Sequence, residues 1–449
     1  MMILGANIRA LGSHLAGWRH PDSWPDTVMQ LQNSIEMAQM VEAAKLHFVF
    51  LADGNGVRQM KAEHLFAATA PSDRPAVFEP VTMLASIAMM TRHVGLVATA
   101  TTTYEEPYLL ARKFASLDHI SNGRAGWNLV TTSNADDALN FGRDEHMPRE
   151  ERYERAREFA EVVRGLWDSW ADDAFPQNKA TGQFLDPRRV HLLSHVGKYF
   201  TVRGPLNITR PPQGHPTIFS AGQSNAGREL AACVADCLFA VSSSLEEAKE
   251  TYADIKGRMA KYGRGPDELK ILPGVVIYVG ETAQEAEDYY QRLQDLIPPQ
   301  LGLEYLSKTL EMDLSGYPID GPVPQLSRQE VGGTAVRYSA ADFAHRNNLT
   351  IKQAYQHVVG SMGGTMFKGN VAEVCDQMEA WYREKACDGF VLSGPVMPGG
   401  MRRILDMVVP ELQRRGVFRR DHGPGTLRGG LGLRRPPNRF FDSPSVAAE

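Results

Sequence analysis

The chain has 449 residues, of which 43% are hydrophobic and 22% charged, and its formal net charge is −5. This composition is typical of a globular protein with a large core, and it excludes collagen-like, coiled-coil and disordered chains. The charge balance gives no general attraction to nucleic acid or to an anionic membrane. The four cysteines have no CxxC spacing, and HExxH, EF-hand and Walker-type motifs are absent, so no disulfide framework and no metal site is predicted.

The first nine residues, MMILGANIR, lack the basic head and the uninterrupted apolar run of a signal peptide. The longest strongly apolar stretch, residues 81–90, has about half the length that a membrane span requires. We therefore expect a soluble, cytoplasmic protein.

Short apolar runs alternate with longer amphipathic segments along the chain, which is the pattern of repeated βα units around a parallel sheet. The predicted strands are 3–7, 47–52, 94–98, 125–130, 217–221, 237–241, 271–279 and 389–392. The predicted helices are 26–45, 79–91, 106–120, 149–170, 225–234, 245–261, 282–296 and 371–385, with Asp26, Ser244 and Thr282 as expected caps. Eight strands, mostly followed by helices, predict an α/β fold of the (β/α)8 TIM-barrel type, in one domain spanning 1–449. A doubly wound open sheet competes, but no Gly-rich dinucleotide fingerprint follows the first strand.

Three segments of the chain have no counterpart in a minimal (β/α)8 barrel. Residues 170–216 and 298–364 are interrupted by Pro and Gly and are predicted to be long insertion loops, which in compact domains usually act as lids or subunit contacts. The C-terminal extension, 402–449, is rich in arginine, and we expect it to form a solvated or inter-subunit face rather than a nucleic-acid site.

The run GQSNAG, which contains Ser224, lies between a predicted strand and a predicted helix. Three interpretations stay open for Ser224: the N-cap of a tight turn, a phosphate site at a helix N-terminus, or the nucleophile of a serine hydrolase. TIM barrels commonly bind phosphate in the loops of their C-terminal half, which favours the second over the third.

Other polar residues lie at the carboxyl ends of predicted strands, where barrels bind their ligands. Asp53 follows the second strand, as a ligand contact or a turn cap, and Thr99 opens a hydroxyl-rich run at the end of the third. Asn128 lies within the fourth strand, where an inward side chain would need partners that a ligand can supply. His14 and His20 follow the first strand, as active-site groups or as solvated loop residues.

Several of these residues lie in longer motifs: FLAD before residue 54, ATATTTY at 98–104, ASLDHISNGRAGWN at 115–128, RYERA at 152–156, AGQS at 221–224 and VPELQRRG at 409–416. With these motifs the sequence resembles the bacterial-luciferase-like flavin-dependent monooxygenases. The resemblance is to the branch of nitrilotriacetate, dibenzothiophene-sulfone and pristinamycin-synthase-type monooxygenases, and it covers nearly the whole chain.

The resemblance implies a TIM barrel that uses reduced FMN and O2, with a flavin hydroperoxide inserting one oxygen atom into a small organic substrate. It also implies a separate NAD(P)H:flavin oxidoreductase, and we expect a homodimer or homotetramer. The oxygenated atom stays open between a carbon beside nitrogen, a carbon beside sulfur and a halogen-bearing carbon. A flavin hydroperoxide needs a dry pocket, for which 298–364 is the candidate lid.

The family's FMN contacts correspond to Asp53, Thr99, Tyr153 and Ser224, and Asn128 joins them as a candidate. Arg149 stands where the family usually has a histidine; an arginine can hold a phosphate but cannot accept a hydrogen bond. His14 is the candidate catalytic residue. A serine hydrolase using Ser224 and a non-catalytic flavin-binding protein are the alternative functions.

Overall fold

The computed structural model describes residues 1–57, 76–325, 335–423 and 425–442. The strands are β1 (Ile3–Asn7), β2 (Phe48–Leu51), β3 (Gly95–Thr101), β4 (Ala125–Val130), β5 (His195–Val196), β6 (Thr201–Val202), β7 (Thr217–Ser220), β8 (Cys237–Ala240), β9 (Lys270–Gly280), β10 (Thr365–Asn370) and β11 (Gly389–Ser393). Eight of them pair in parallel in the order β1–β2–β3–β4–β7–β8–β9–β11, and β11 pairs with β1 to close a barrel. The predicted TIM barrel is confirmed, the open sheet is wrong, and all eight predicted strands are present.

The α-helices are α1 (Leu31–Ala43), α2 (Pro80–Met90), α3 (Pro107–Ile120), α4 (Arg149–Trp167), α5 (Asn225–Val234), α6 (Leu245–Arg258), α7 (Ala283–Asp295), α8 (Pro299–Leu310), α9 (Ala335–Arg346), α10 (Ile351–Ser361), α11 (Val371–Arg383), α12 (Gly399–Arg403), α13 (Val409–Arg414) and α14 (Leu427–Gly430). Ser244 and Thr282 are N-caps as predicted, each accepting a backbone N–H in the first turn. The prediction for Asp26 is wrong, because α1 begins five residues later, at Leu31, after Gln30. None of the helices in the described ranges is both long and apolar enough to cross a membrane.

Large apolar side chains fill the barrel interior. Phe48, Phe50, Val97 and Phe219 pack there in one buried cluster, with Phe48 against Phe219 at a ring-centroid distance of 5.0 Å. Gly5 provides the room, because a Cβ at this position would collide with the ring of Phe48. The barrel is therefore a packed core, and its ligand site has to lie at an end.

The prediction of a long loop for 298–364 is wrong. Its described residues form α8, α9 and α10, whose buried side chains make a separate cluster with Leu15 and Ala16 of the loop after β1. The insertion ends in β10, which was not predicted and which pairs in parallel with the second half of β9. The insertion 170–216 is irregular apart from one short 3-10 helix and the β5–β6 hairpin, in line with the prediction.

Most of the arginines in the C-terminal extension are exposed, among them Arg402, Arg414, Arg420, Arg434 and Arg435, and the solvated or inter-subunit face stays a prediction. Two other arginines of the extension bind into the protein. Arg428 is buried and pairs with Asp236 at 2.6 Å, and Arg419 donates to the carbonyl of Leu46. Leu427 and Leu431 join the cluster inside the barrel. Leu427 lies against Gly95, the first residue of β3, so the extension closes the amino end of the barrel and leaves the carboxyl end as the mouth.

Candidate active site

A hydrogen-bonded chain of polar groups crosses three neighbouring strands at the mouth of the barrel. Asn128 Nδ2 donates to Thr99 Oγ1 at 2.8 Å, and Thr99 Oγ1 donates to the carbonyl of Leu51 at 2.6 Å. Thr99 and Asn128 stand side by side in the register of β3 and β4, and both are buried. The structure thus brings together two predicted site residues.

The side-chain amide oxygen of Asn128, Oδ1, is buried and has no hydrogen-bond partner among the described residues. Buried polar atoms without a partner are rare in native proteins and call for an explanation such as a ligand. The neighbouring Trp127 packs outward against Phe114 of α3, so strand alternation turns Asn128 toward the interior. Its oxygen therefore offers an acceptor to a molecule bound in the mouth.

Asn7, the last residue of β1, repeats this arrangement and was missed by the sequence analysis. It is 5% exposed, and its side-chain oxygen also lacks a partner in the described part of the chain. Asn7 stands beside Phe50 in the β1–β2 register. The signal that could have revealed it is the one used for Asn128, a lone amide in an otherwise apolar strand.

Asp53 lies two residues beyond the end of β2, at the same mouth, and is half-buried. The loop that follows it packs against the 3-10 helix Ala135–Phe141, because a Cβ at Gly56 would collide with the side chain of Asp137. Asp53 is therefore placed on the side of the mouth where β2, β3 and β4 end.

The turn that contains Ser224 is tight and well ordered. Ser224 Oγ accepts the backbone N–H of Gly227 at 3.1 Å and caps α5, so the N-cap interpretation is confirmed. Its φ of −67° and ψ of 165° are ordinary extended values, without the strain of a hydrolase nucleophile elbow. A Cβ on Gly222 would collide with Gly227, which requires glycine here.

The N-terminal part of α4 lies beside this turn. The hydroxyl of Tyr153 would be only 3.3 Å from a Cβ on Gly222. Arg149, the first residue of α4, is exposed one helical turn earlier, and no carboxylate of the described ranges lies within ion-pair distance of it. The structure thus brings Tyr153 close to the Ser224 turn and places Arg149 at the edge of the same surface.

Next to α4, Tyr104 and His146 form a pair in which the Tyr104 hydroxyl lies 2.7 Å from His146 Nδ1. Burial, followed by the charge of Arg152, lowers the pKa of His146 below its ordinary value. Burial and Asp137 raise the pKa of Tyr104, so the tyrosine keeps its proton. The sequence analysis did not assign these residues.

His14 and His20 are not solvated, since only 2% and 9% of their surfaces are exposed, and that interpretation is wrong. Burial lowers the pKa of His14 to about 4, so it is neutral at pH 7. Its Nδ1 accepts the N–H of Ala16 at 3.1 Å, which leaves the proton on Nε2, 3.3 Å from the side-chain amide of Gln294. The nearer atom of Gln294 is its amide nitrogen, and its buried oxygen has no partner in the described ranges, so the Nε2–H of His14 gains an acceptor when the amide of Gln294 is flipped.

The described ranges hold no group of three or more His, Cys, Asp or Glu side chains that could hold a metal ion. The mouth of the barrel presents buried side-chain amide oxygens with hydroxyls beside them. A cationic group and two helix N-termini lie at its edge.

Residues 11–384 match the family of luciferase-like monooxygenases. The chain is 46% identical over 444 residues to nitrilotriacetate monooxygenase component A of Aminobacter aminovorans, covering 97% of each chain. It is 44% identical over 439 residues to N-acetyl-S-(2-succino)cysteine monooxygenase of Bacillus subtilis (strain 168), covering 97% of this chain and 98% of the relative. Among solved structures, riboflavin lyase RcaE, with a modified FMN and riboflavin, superimposes with a TM-score of 0.81 at 29% identity and covers 96% of both chains. The chain therefore belongs to the luciferase-like monooxygenases, and it is a flavin-dependent oxidoreductase built on a (β/α)8 barrel.

Proposed function

We propose that this protein is the oxygenase component of a two-component system, which takes reduced FMN from a separate NAD(P)H:flavin oxidoreductase. The Aminobacter relative is component A of its enzyme, so that enzyme has at least one further component. The RcaE structure supports FMN as the flavin. The free state of all four cysteines agrees with work in the reducing cytoplasm.

The observation that carries the proposal is the side-chain oxygen of Asn128, which is buried and unpartnered in the described ranges while the nitrogen of the same amide donates to Thr99. The polar edge of a flavin ring carries N–H groups, which such an oxygen can accept. The ribityl chain carries hydroxyls suited to Asp53, and the phosphate suits Tyr153, Arg149 and the N-terminus of α5 at Ser224. The mouth thus supplies the kinds of donor and acceptor that the ring, the ribityl chain and the phosphate of FMN each require.

When bound, reduced flavin supplies the electrons with which O2 delivers one oxygen atom to the substrate and the other to water. The protein binds the flavin and the substrate, orients them and excludes water from the site. Phe50 and Phe219 form an apolar floor beneath Asn128 and Thr99, and α8–α10 pack on the loop after β1. Exclusion of water by this insertion would favour oxygenation over loss of the oxidant as peroxide.

We propose a small, carboxylate-bearing substrate that is oxygenated at a carbon beside nitrogen or sulfur. Nitrilotriacetate has such a carbon beside nitrogen, and N-acetyl-S-(2-succino)cysteine has one beside sulfur. The halogen-bearing carbon has no counterpart in these relatives. His14 remains our candidate catalytic residue, because its imidazole is neutral at pH 7 and is buried among residues after β1 and β11.

The test is O2 uptake with reduced FMN, measured together with loss of nitrilotriacetate as a first substrate. Uptake that is stoichiometric with substrate loss supports the proposal. Uptake that appears entirely as hydrogen peroxide with nitrilotriacetate and with N-acetyl-S-(2-succino)cysteine contradicts the proposed substrate class. Reaction of Ser224 with an active-site phosphonate would instead support the hydrolase. Light scattering on the purified chain tests the proposed homodimer or homotetramer.

A further inference from the structure

A second polar layer lies above the Thr99–Asn128 pair, toward solvent. Thr101 Oγ1 and Thr132 Oγ1 are 2.8 Å apart, and the N–H of Thr132 donates to Thr103 Oγ1 at 3.0 Å. Because a strand rises about 3.3 Å per residue, this layer is roughly 7 Å above Thr99. The layer is buried, with Thr101 and Thr132 less than a tenth exposed.

Tyr104, His146 and Arg152 border this layer, and we name them the rim cluster. The guanidinium of Arg152 donates to the carbonyl of Thr132, and the Tyr104 hydroxyl bonds His146 Nδ1 at 2.7 Å. Tyr104 is itself fixed by stacking on Phe141, with ring centroids 4.7 Å apart and planes 4° from parallel. The cluster is thus attached to β3, β4 and α4 by defined contacts.

Two nitrogen atoms of the rim cluster are buried and unpartnered within the described ranges, His146 Nε2 and Arg152 Nε. A guanidinium only donates, so the missing partner of Arg152 is an acceptor. In the tautomer in which the Tyr104 hydroxyl donates to Nδ1, the neutral His146 carries its proton on Nε2. Both orphaned atoms are therefore N–H donors.

Charges of both signs face the cluster, and its own charge is the guanidinium of Arg152. No carboxylate of the described residues lies within ion-pair distance of Arg152, and the charges of Arg149 and Arg143 act on Arg152 and Tyr104 respectively. The facing acids are Glu150 and Asp137, and Asp137 already accepts Asn134 Nδ2 at 2.6 Å. Buried N–H donors that include an arginine without an ion-pair partner favour an oxyanion, which accepts charge-assisted hydrogen bonds.

We propose that His146 and Arg152 form an oxyanion-binding site at the rim of the barrel mouth. The oxyanion is either the phosphate of the flavin nucleotide or a carboxylate of the substrate. The inference rests on the proposed function, because both ligands enter through this mouth.

The test compares FMN with riboflavin, which lacks the phosphate, in R152Q, H146Q and wild type. Dissociation constants come from quenching of flavin fluorescence, and nitrilotriacetate binding comes from calorimetry. R157Q is the matched control, because Arg157 is exposed on the same helix. Circular dichroism and thermal unfolding show whether each variant folds, and H146Q keeps the test decisive if R152Q does not.

If the oxyanion is the phosphate, the FMN dissociation constant rises roughly 10- to 100-fold in R152Q and H146Q, as for lost hydrogen bonds to a charged group, while that of riboflavin is unchanged. If it is the carboxylate, flavin binding is unchanged and nitrilotriacetate binding weakens. R157Q matches wild type in either case.

Equal weakening of FMN and riboflavin overturns the proposal, since it indicates a structural role. No change in either arm, including a wild type that binds no nitrilotriacetate, also overturns it. If the variants selectively lose FMN binding while O2 uptake by the wild type appears entirely as hydrogen peroxide, the oxyanion site is kept and the proposed substrate class is contradicted, so the two failures are distinguishable.

Discussion

Asn128 and Thr99 form one hydrogen-bonded unit, in which the amide N–H of Asn128 is fixed by the Thr99 hydroxyl and the amide oxygen is left for a ligand. Asn128→Ala removes that acceptor. We expect the flavin dissociation constant to rise roughly tenfold, because a hydrogen bond contributes about 0.5–1.5 kcal/mol and more when a group is left unpaired. Flavin titration measures this. Asn347→Ala, at an exposed position, should bind flavin as wild type does, and unchanged affinity in Asn128→Ala would remove Asn128 from the site.

Ser224→Ala tests whether the capping serine also binds the phosphate. Loss of the cap should lower the free energy of unfolding by about 1 kcal/mol, and loss of the hydroxyl should weaken FMN binding by roughly 1–3 kcal/mol. Ser244→Ala is the matched control, because Ser244 caps α6 with the same geometry, accepting the N–H of Glu247 at 3.2 Å. It should lose similar stability but keep its FMN affinity. If the two variants bind FMN equally well, Ser224 makes no contact with the phosphate.

Asp53→Asn should retain much of the activity. A carboxylate beside a reduced, anionic flavin ring would be repelled, so we expect Asp53 to accept hydrogen bonds from the ribityl hydroxyls. The amide oxygen of an asparagine at position 53 can accept the same hydrogen bonds. Steady-state turnover and flavin affinity are the measurements. A loss of turnover with unchanged FMN affinity would instead assign proton transfer to Asp53.

Much of the barrel could be predicted because each strand is a short apolar run that ends at a turn. The strand Thr365–Asn370 was missed because Lys368, Gly369 and Asn370 are poor strand formers, and its pairing with β9 outweighs their propensity. The helices of the 298–364 insertion were missed because Pro and Gly lie at or near their ends, and a sequence with such residues resembles that of a loop.

Site residues on the strands were visible in the sequence, since Thr99 and Asn128 interrupt apolar runs. The rim cluster was not, because Tyr104 and His146 are 42 residues apart and meet only when the loops after β3 and β4 fold together. The burial of Arg428 was likewise hidden. A run of arginines does not reveal that one of them will meet a buried aspartate, Asp236.

His14→Ala should uncouple the reaction. If the Nε2–H of His14 contacts the substrate or the oxidant, reduced flavin is still consumed, but more oxygen appears as hydrogen peroxide and less as product. His357→Ala is a suitable comparison, because His357 is half-buried and also neutral at pH 7 but stacks on Phe343 in the insertion. Wild-type coupling in His14→Ala would leave His14 with a structural role only.

The buried histidines should make stability fall in mild acid. Burial lowers the pKa of His14 to about 4, of His47 to about 3 and of His357 to about 4, from 6.5. Below pH 6.5 the unfolded chain binds protons that the folded chain refuses, so the free energy of unfolding falls until the folded pKa is reached. Each histidine contributes a slope of about 1.4 kcal/mol per pH unit.

Urea unfolding at pH 7.5, 6.0 and 5.0 checks this dependence. His47→Asn should flatten the curve by one histidine's share. A free energy of unfolding that stays constant from pH 7.5 to pH 5.0 would contradict the burial of neutral imidazoles.

The leucines that close the amino end of the barrel determine when its core can be completed during synthesis on the ribosome. Leu427 and Leu431 follow all eight barrel strands along the chain, yet they pack with Phe48 and Val97 of the second and third strands. While synthesis is incomplete, those early strands lack part of their final apolar contacts. Because exposed apolar surface makes such intermediates prone to aggregation, a nascent chain arrested before residue 427 should depend on chaperones far more than the released protein.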